Sequence, residues 1–279
     1  MRQALLCALV LLLAGCGLSR QERLLSMEQP SYTGHVSPIT VPQAFRYKPA
    51  SSAMLFELRM YTRNLLTGEE TFTDFEMDME SRAEQSGDKL LWTTTSHKLT
   101  RNGKTMHADI PIFICRILTD ALGNVHEYEI SLPAFERNGL RRGSAEYAEL
   151  VASFDPRKNI APLNPNAVKS GDTLLHFDFG ASAEVFKPIN GNGKIPEILD
   201  GFTYHEGRKS LLVKGHFEEK RARRTAADGQ GLPFDMSLSS YTVFDAETML
   251  PLLGEAGMVL SNEAEFGKMH IRYVTKAAR

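Results

Sequence analysis

The stretch Ala-Met-Leu-Phe-Glu-Leu-Arg-Met-Tyr at residues 53–61 decides the fold class. Its large apolar side chains recur at every second position, namely Met54, Phe56, Leu58 and Met60, and the charged Glu57 and Arg59 lie between them. Residues with a period of two share one face of a β-strand, because successive side chains point to opposite faces. The stretch therefore predicts a strand with one buried face.

The same alternation continues beyond this strand. A turn at Thr67-Gly68 leads into a second strand, whose apolar positions are Phe75, Met77 and Met79 and whose other positions are acidic. A third alternating run follows at residues 90–99. Asn102-Gly103 is the strongest hairpin signal in the chain, because both central residues of a tight primed turn need a positive φ. These runs predict consecutive antiparallel strands.

The rest of the chain adds more strands and little helix. Further alternating segments lie at residues 173–179, 202–205, 210–219, 234–244, 257–262 and 266–275. Residues 144–154 instead have apolar residues at helical spacing behind Ser144, a residue type that favours a helix start. The sequence predicts a mainly β fold, an antiparallel curved sheet or open barrel of about ten or more strands with one or two short helices.

Two segments each admit two interpretations. Residues 109–121 fit a helix or a strand that returns through 125–132, and their β-branched residues favour the strand. Met249-Leu-Pro-Leu-Leu253 is either an exposed apolar loop or the first half of a buried strand.

The N-terminus has the composition of a secretory signal. Arg2 precedes an apolar run from Ala4 to Ala14, and no acidic residue occurs before Glu22. A basic start, an apolar core and small residues at its end are the parts of a cleavable signal. The run is shorter than the ~20 residues of a membrane-spanning helix, so we expect a signal peptide instead.

Leu13-Ala14-Gly15-Cys16, at the end of this run, resembles the lipobox of bacterial lipoproteins. The resemblance implies cleavage before Cys16, a lipid on its sulfur and a mature chain of 279 − 15 = 264 residues held on a membrane. In Gram-negative lipoproteins an Asp just after the cysteine usually marks retention in the inner membrane, and this chain has Gly17 there. The resemblance therefore implies the outer membrane, with the domain facing the periplasm.

Three segments follow from these patterns. They are a signal peptide at residues 1–15, a lipidated N-terminus and flexible tether at 16–52, and an antiparallel β domain at 53–279. The domain could consist of two halves joined near 155–170. The tether is predicted from several serines, from the absence of sustained periodicity and from four prolines, Pro30, Pro38, Pro42 and Pro49.

Composition excludes several classes of protein. Apolar residues make up 42% of the chain and charged residues 24%, as in globular proteins. A formal charge of −2 argues against a nucleic-acid partner, which would need a strongly basic surface. After processing, Cys115 is the sole unmodified cysteine, so no intramolecular disulfide can form. Its apolar surroundings in sequence predict a buried, inert thiol.

No motif for catalysis or for a cofactor stands out. Asn190-Gly-Asn-Gly-Lys194 lacks the spacing of a phosphate-binding loop. His176 with Asp178 and His216 with Glu218 have strand spacing, but a zinc site needs three or four convergent ligands. We therefore expect no catalytic residues, no metal and no cofactor.

The predicted inward-facing positions are rich in methionine and phenylalanine. Unbranched thioethers adapt to flexible apolar guests such as acyl chains, and the same residues also fill ordinary β cores. The candidate ligand-lining residues are Met54, Phe56, Met60, Met77, Met79, Phe177, Phe179 and Met236.

In its anchor and strand order, the chain resembles the periplasmic lipoprotein-carrier and lipoprotein-receptor family, in which a curved antiparallel sheet wraps an apolar cavity closed by helices. The resemblance implies a non-enzymatic envelope protein that binds an apolar ligand or helps to handle lipids or lipoproteins. The alternative hypothesis is an anchored β-sandwich that binds another envelope protein. The expected partners are the membrane, through the lipid on Cys16, and a lipid ligand or an envelope protein.

Overall fold

The structure is a computed structural model that describes residues 30–107, 109–153, 161–178, 186–187, 194–225 and 231–276. The predicted signal peptide, Cys16 and Phe179 lie outside the described residues.

Thirteen antiparallel strands form one curved, open sheet within the described residues. The strands are β1 (Ala50–Asn64), β2 (Glu70–Ser86), β3 (Lys89–Arg101), β4 (Lys104–His107), β5 (Phe113–Thr119), β6 (Val125–Ser131), β7 (Thr173–Asp178), β8 (Phe186–Lys187), β9 (Lys194–His205), β10 (Arg208–Thr225), β11 (Gly231–Asp245), β12 (Pro251–Ser261) and β13 (Glu265–Lys276). Their order across the sheet is β6-β5-β3-β2-β1-β13-β12-β11-β10-β9-β7, with β4 paired to β3 and β8 to β10. The predicted fold class is confirmed.

Local sequence signals explain several element boundaries. Asn102 and Gly103 have φ values of 51° and 76° and connect β3 to β4, as the hairpin signal predicted. Two short helices, α1 (Pro133–Arg137) and α2 (Ala145–Ser153), follow β6. The Tyr147 amide donates a hydrogen bond to Ser144 Oγ over 3.1 Å, which is the predicted N-terminal cap of α2.

The two ambiguous segments both lead into strands and have buried side chains. The segment at 109–121 contains β5, in which Phe113, Cys115 and Ile117 are buried. Met249 and Leu250 are buried just before β12 begins at Pro251, so the exposed-loop interpretation of this segment is wrong. Cys115 is buried and takes part in no disulfide within the described residues.

Cross-strand register places the alternating apolar residues on one common face. Met54 and Phe56 of β1 lie opposite Met79 and Met77 of β2. On the other side of β1, Met60 lies opposite Met269 of β13. Directly paired residues in an antiparallel sheet point to the same face, so these side chains form one continuous surface.

The sheet curls around this surface, which is therefore its inner face. The Tyr47 ring contacts Trp92 of β3 at a centroid distance of 5.7 Å, and it also packs against the buried cluster that contains Leu211 of β10. β2, β1, β13, β12 and β11 separate β3 from β10, which in a flat sheet would be six spacings of about 4.8 Å, or about 29 Å. One tyrosine reaches both sides because the sheet curves towards it.

At one end, here called the closed end, the two edges of the sheet are linked. The Leu163 amide donates to the Leu122 carbonyl in the β5–β6 turn over 2.8 Å, and Leu163 also forms an isolated bridge with Leu175 of β7. The residues that fill this end are almost completely buried. They are Ile39, Phe45, Leu163, Val168, Leu174, Leu175, Leu199, Leu211, Val213, Phe244 and Met249.

Residues 30–49, which lie in the segment predicted as a tether, pack against the sheet. Pro30 lies over Gly257 of β12, and the Tyr32 ring packs on Tyr241 of β11 at 5.7 Å. Ser37 pairs with Phe202 of β9. The segment therefore runs across the sheet from β12, past β11 and β10, to β9. The chain then enters the closed end, and the described part of residues 16–52 belongs to the folded domain.

Candidate ligand-binding trough

The central strands expose a band of apolar side chains on the inner face, here called the trough. Its members are half-buried or partly exposed residues of β1, β2 and β13, namely Met54, Phe56, Leu58, Met60, Phe75, Met79, Met269 and Ile271. Met60 is 36% exposed, although it points to the same face as the closed-end core. Large apolar side chains that face inward and keep contact with solvent are the lining expected of an apolar binding site.

One wall of the trough is formed by the helices that follow β6. Phe135 of α1 and Tyr147 and Val151 of α2 pack against the cluster that contains Met77 and Trp92. The Tyr147 hydroxyl donates to Glu136 at 3.1 Å, and Arg142 pairs with the same carboxylate at 2.9 Å. The hydrogen bond from Arg142 is the main cause that lowers the pKa of Glu136. These contacts hold both helices over the inner face of β2, β3 and β5.

The predicted lining residues divide into three groups. Met54, Phe56, Met60 and Met79 lie in the trough. Met77 and Met236 point to the same face but are buried in packed clusters, so they support the walls. The backbone of Phe177 pairs with Ile195 of β9, and Phe179 lies outside the described residues.

A buried polar patch interrupts the apolar inner face beside the trough. Ser240 of β11 donates to Glu197 Oε1 of β9 at 3.0 Å. The hydroxyls of Thr242 in β11 and Tyr273 in β13 share a hydrogen bond of 2.7 Å. Burial raises the pKa of Glu197, and the hydrogen bond from Ser240 opposes this shift. Burial also raises the pKa of Tyr273, so this phenol stays protonated.

Glycines make room for both polar pairs. A Cβ at Gly215 of β10 would lie 2.5 Å from Ser240 Oγ and 2.9 Å from Glu197 Oε1, so the Glu197 side chain crosses β10 at this position. A Cβ at Gly254 of β12 would collide with the Tyr273 ring, which crosses β12 to reach Thr242. The patch therefore depends on two positions without side chains.

The outer face of the same strands is charged. Arg272 contacts Glu255 at 3.4 Å and Glu57 at 4.0 Å. Lys276 pairs with Asp78 at 2.7 Å, and Lys98 pairs with Glu76 at 3.2 Å. The acidic residues of β2 thus lie on a solvated, ion-paired surface, and the trough is the apolar side of the sheet.

Other parts of the described chain offer weaker candidates. A cleft of about 550 Å³ at the closed end is lined by charged residues of both signs, including Lys209 and Glu247, and is open to solvent. The exposed His216 imidazole lies 3.7 Å from the carboxylate of Glu218. Within the described ranges, no group of three or more His, Cys, Asp or Glu residues is placed to hold a metal ion. No helix among these residues is long and apolar enough to cross a membrane.

Two parts of the site were not predicted from the sequence. Met269 and Ile271 belong to the trough, and the alternation within residues 266–275 could have found them. Forty-two residues lie between Glu197 and Ser240 in the chain. Their side chains meet because β9, β10 and β11 pair side by side in the sheet. No local sequence pattern predicts that contact.

Comparisons with solved structures give distant similarities. A DUF1329 family protein from Desulfovibrio piger is 11% identical, with coverage of 82% of this chain and 88% of that chain and a TM-score of 0.25. DynF from the dynemicin biosynthesis pathway of Micromonospora chersina is 9% identical, with 91% of each chain covered and a TM-score of 0.25. A domain assigned as an outer membrane lipoprotein-sorting protein from Vibrio parahaemolyticus is 11% identical, with 82% and 87% covered and a TM-score of 0.21.

No family model matches the chain, and no curated protein matches it in sequence. TM-scores of 0.21 to 0.25 do not establish a common function. The function must be argued from the residues of this chain.

Proposed function

We propose that this protein is a lipid-anchored protein of the cell envelope that binds the apolar chain of a lipid in the trough. In this proposal Cys16 carries the anchor, the outer membrane is the site of attachment and the domain faces the periplasm. The role is binding, with no chemical step.

The observation that carries the proposal is the incomplete burial of the trough. Phe56, Leu58 and Met60 are large apolar residues on the inner face of a curved sheet, yet they keep part of their surface in water. Each Å² of apolar surface that a ligand covers contributes roughly 25 cal/mol. An apolar chain that lies along β1 and β13 would gain this free energy from both its own surface and that of the protein.

Methionine supports a flexible guest. Met54, Met60, Met79 and Met269 supply unbranched side chains with three rotatable bonds, which can adjust to ligands of different shape. A trough lined in this way favours a class of acyl chains over one rigid molecule.

The position of Pro30 is compatible with an anchor at Cys16. Pro30 lies over Gly257 on the outer face, so the chain enters the described fold on the side opposite the trough. Attachment from that side leaves the trough accessible to a ligand.

Native mass spectrometry with lipid extraction tests the proposal on residues 17–279 purified from a bacterial periplasm without detergent. We expect a stoichiometric lipid in the wild-type protein and its loss in Met60→Glu, because the charge would lie among apolar contacts. Val41→Glu is the matched control, since Val41 is 70% exposed and lies outside the trough. A lipid-free wild-type protein that also takes up no envelope lipid would contradict the proposal.

One observation favours the alternative, an interaction module for another envelope protein. Leu65 and Leu66 lie in the β1–β2 turn, and Leu66 is 79% exposed. Contiguous exposed apolar surface often marks contacts with other proteins. A photo-crosslinker at position 66 in cells would capture one specific envelope protein if this alternative holds, with the same probe at position 41 as the control.

A further inference from the structure

The polar patch of Glu197, Ser240, Thr242 and Tyr273 is connected to the trough through the sheet register. Phe56 of β1 lies opposite Tyr273 of β13, and Tyr273 reaches Thr242 on β11. A second row runs from Leu58 through Ile271, Ala256, Ser240 and Gly215 to Glu197. The two rows place the patch directly beside the apolar band.

Small residues form the floor between the trough and the patch. Ala256, Ser240 and Gly215 are consecutive members of the second row, and Gly254 lies in the first. The polar side chains of Glu197 and Tyr273 occupy the space above Gly215 and Gly254 on the inner face, whereas the apolar Met258 and Leu238 fill the next row. Ser240 and Ala256 keep partial contact with solvent, so this floor can be reached from the trough.

Polar groups buried in an apolar surface carry a cost unless they are hydrogen-bonded. Glu197 is 8% exposed, and its described hydrogen bond from Ser240 uses Oε1. The carboxyl and the three hydroxyls place several donors and acceptors within one small region. A packed core has no need for this arrangement, but the polar end of a lipid would match it.

We infer that this patch binds the uncharged polar head of a single-chain lipid, a hydroxyl or un-ionised carboxyl group, while the chain of that lipid lies in the trough. The inference rests on the proposed function and specifies its ligand class.

The charge of the patch favours an uncharged head. Burial raises the pKa of the Glu197 carboxyl, and the hydrogen bond from Ser240 is the opposing contribution. Burial is the main cause that raises the pKa of Tyr273, and the hydrogen bond with Thr242 lowers it. The negative charges that Glu197, Tyr47 and Tyr241 can carry raise it further. The causes that shift the pKa of Glu197 and of Tyr273 include no lysine or arginine. An ionised phosphate would enter this region without a positive partner and lose its hydration.

Competition against a fluorescent fatty acid tests the inference on residues 17–279, which retain every element that the structure describes. The ligands are oleyl alcohol, cis-9-octadecene and oleyl phosphate, which share a long chain and differ at the head. We expect the wild-type protein to bind oleyl alcohol about five- to tenfold more tightly than cis-9-octadecene, the effect of one net hydrogen bond, and oleyl phosphate more weakly than the alcohol.

Two variants separate the head from the chain. Glu197→Leu combined with Ser240→Ala should bring the alcohol-to-alkene ratio close to one while cis-9-octadecene binds as before. Ser239→Ala, on the opposite face of β11, should keep the wild-type ratio. Glu197→Gln should also keep it, because an amide still hydrogen-bonds a hydroxyl. If the double variant fails to fold, Ser240→Ala alone is the second readout, and it should lower the alcohol-to-alkene ratio because it removes one hydroxyl of the patch.

The outcomes distinguish the inference from the proposed function. If the wild-type protein binds all three ligands equally, or if the double variant keeps the preference for the alcohol, the inference is overturned and lipid binding stands. If no long-chain ligand displaces the probe from the wild-type protein, both are overturned.

Discussion

At the closed end Leu199 and Leu211 are 0% exposed, whereas in the trough Met60 of the same inner face is 36% exposed. Both regions consist of alternating strands with large apolar residues. They differ in what covers them. Segments that contain Ile39, Leu163 and Met249 pack over the closed end. Burial of an inner-face residue therefore depends on segments that are distant in sequence, and strand alternation alone does not determine it.

The closed end should contribute mainly to stability, and the trough should contribute mainly to ligand binding. Closed-end residues lose all contact with water when the chain folds, so they should contribute most of the hydrophobic free energy. Trough residues are buried in part and retain surface for a ligand. Variants that truncate the same type of side chain in each region test this difference.

Leu211→Ala and Leu58→Ala make the same truncation at the closed end and in the trough. We expect Leu211→Ala to lower the free energy of unfolding by ~2–5 kcal/mol, since it leaves a cavity in a filled core. Leu58→Ala should cost about 1 kcal/mol, because Leu58 is half-buried. Urea unfolding measures both values. Equal losses would mean that the trough is an ordinary packed core.

Gly254→Ala tests whether the inner-face glycines are required by the polar patch. The new methyl group would collide with the Tyr273 ring, and we expect a loss of ~1–3 kcal/mol in the free energy of unfolding. Gly267→Ala in β13 is the matched control, since its Cβ would lie 3.5 Å from the nearest atom. Thermal and urea unfolding should rank the two variants in this order, and the reverse ranking would refute the role assigned to Gly254.

Glu197 gives a pH-dependent test of the patch. Burial raises its folded-state pKa above the ordinary value of 4.5. Between 4.5 and the folded-state pKa, the folded protein holds a proton that the unfolded chain has released, so stability falls as pH rises through this window. The slope is at most about 1.4 kcal/mol per pH unit.

Glu197→Gln should remove this dependence. The free energy of unfolding of the wild-type protein minus that of Glu197→Gln should decrease as pH rises above 4.5. Urea unfolding of both proteins between about pH 4 and pH 8 measures the difference. A difference that stays constant with pH would show that Glu197 titrates normally.

The smallest effect is expected on the outer face. Lys276→Gln removes the exposed ion pair with Asp78 and should change the free energy of unfolding by less than ~1 kcal/mol. Ligand affinity should stay unchanged, because both residues lie opposite the trough. A large loss of ligand affinity in Lys276→Gln would argue that binding involves the outer face.

Local sequence patterns were sufficient for much of the fold. Alternation in residues 53–61 and around Met77 correctly predicted which residues of β1, and which of β2, share a face, since such residues have a period of two. The Asn102-Gly103 turn and the Ser144 cap are also local, because each depends on the conformation of two to four residues.

Non-local contacts explain what the sequence could not predict. Tyr47 lies in the proline-containing segment predicted as a tether, yet it contacts Trp92 and the closed-end core. Met77 and Met54 look equivalent in sequence, but the helices help to bury Met77. Which apolar residues remain accessible depends on the curvature of the sheet and on the segments that pack inside it.

Photo-crosslinking with a diazirine-labelled long-chain alcohol, followed by peptide mapping, tests the central claim most directly. The account predicts saturable labelling within Met54–Met60 of β1 and around Met269–Ile271 of β13, with competition by oleyl alcohol. It also predicts that Met60→Glu abolishes this labelling and Val41→Glu does not. Saturable labelling at the closed end or on the outer face instead, or no saturable labelling at all, would contradict it.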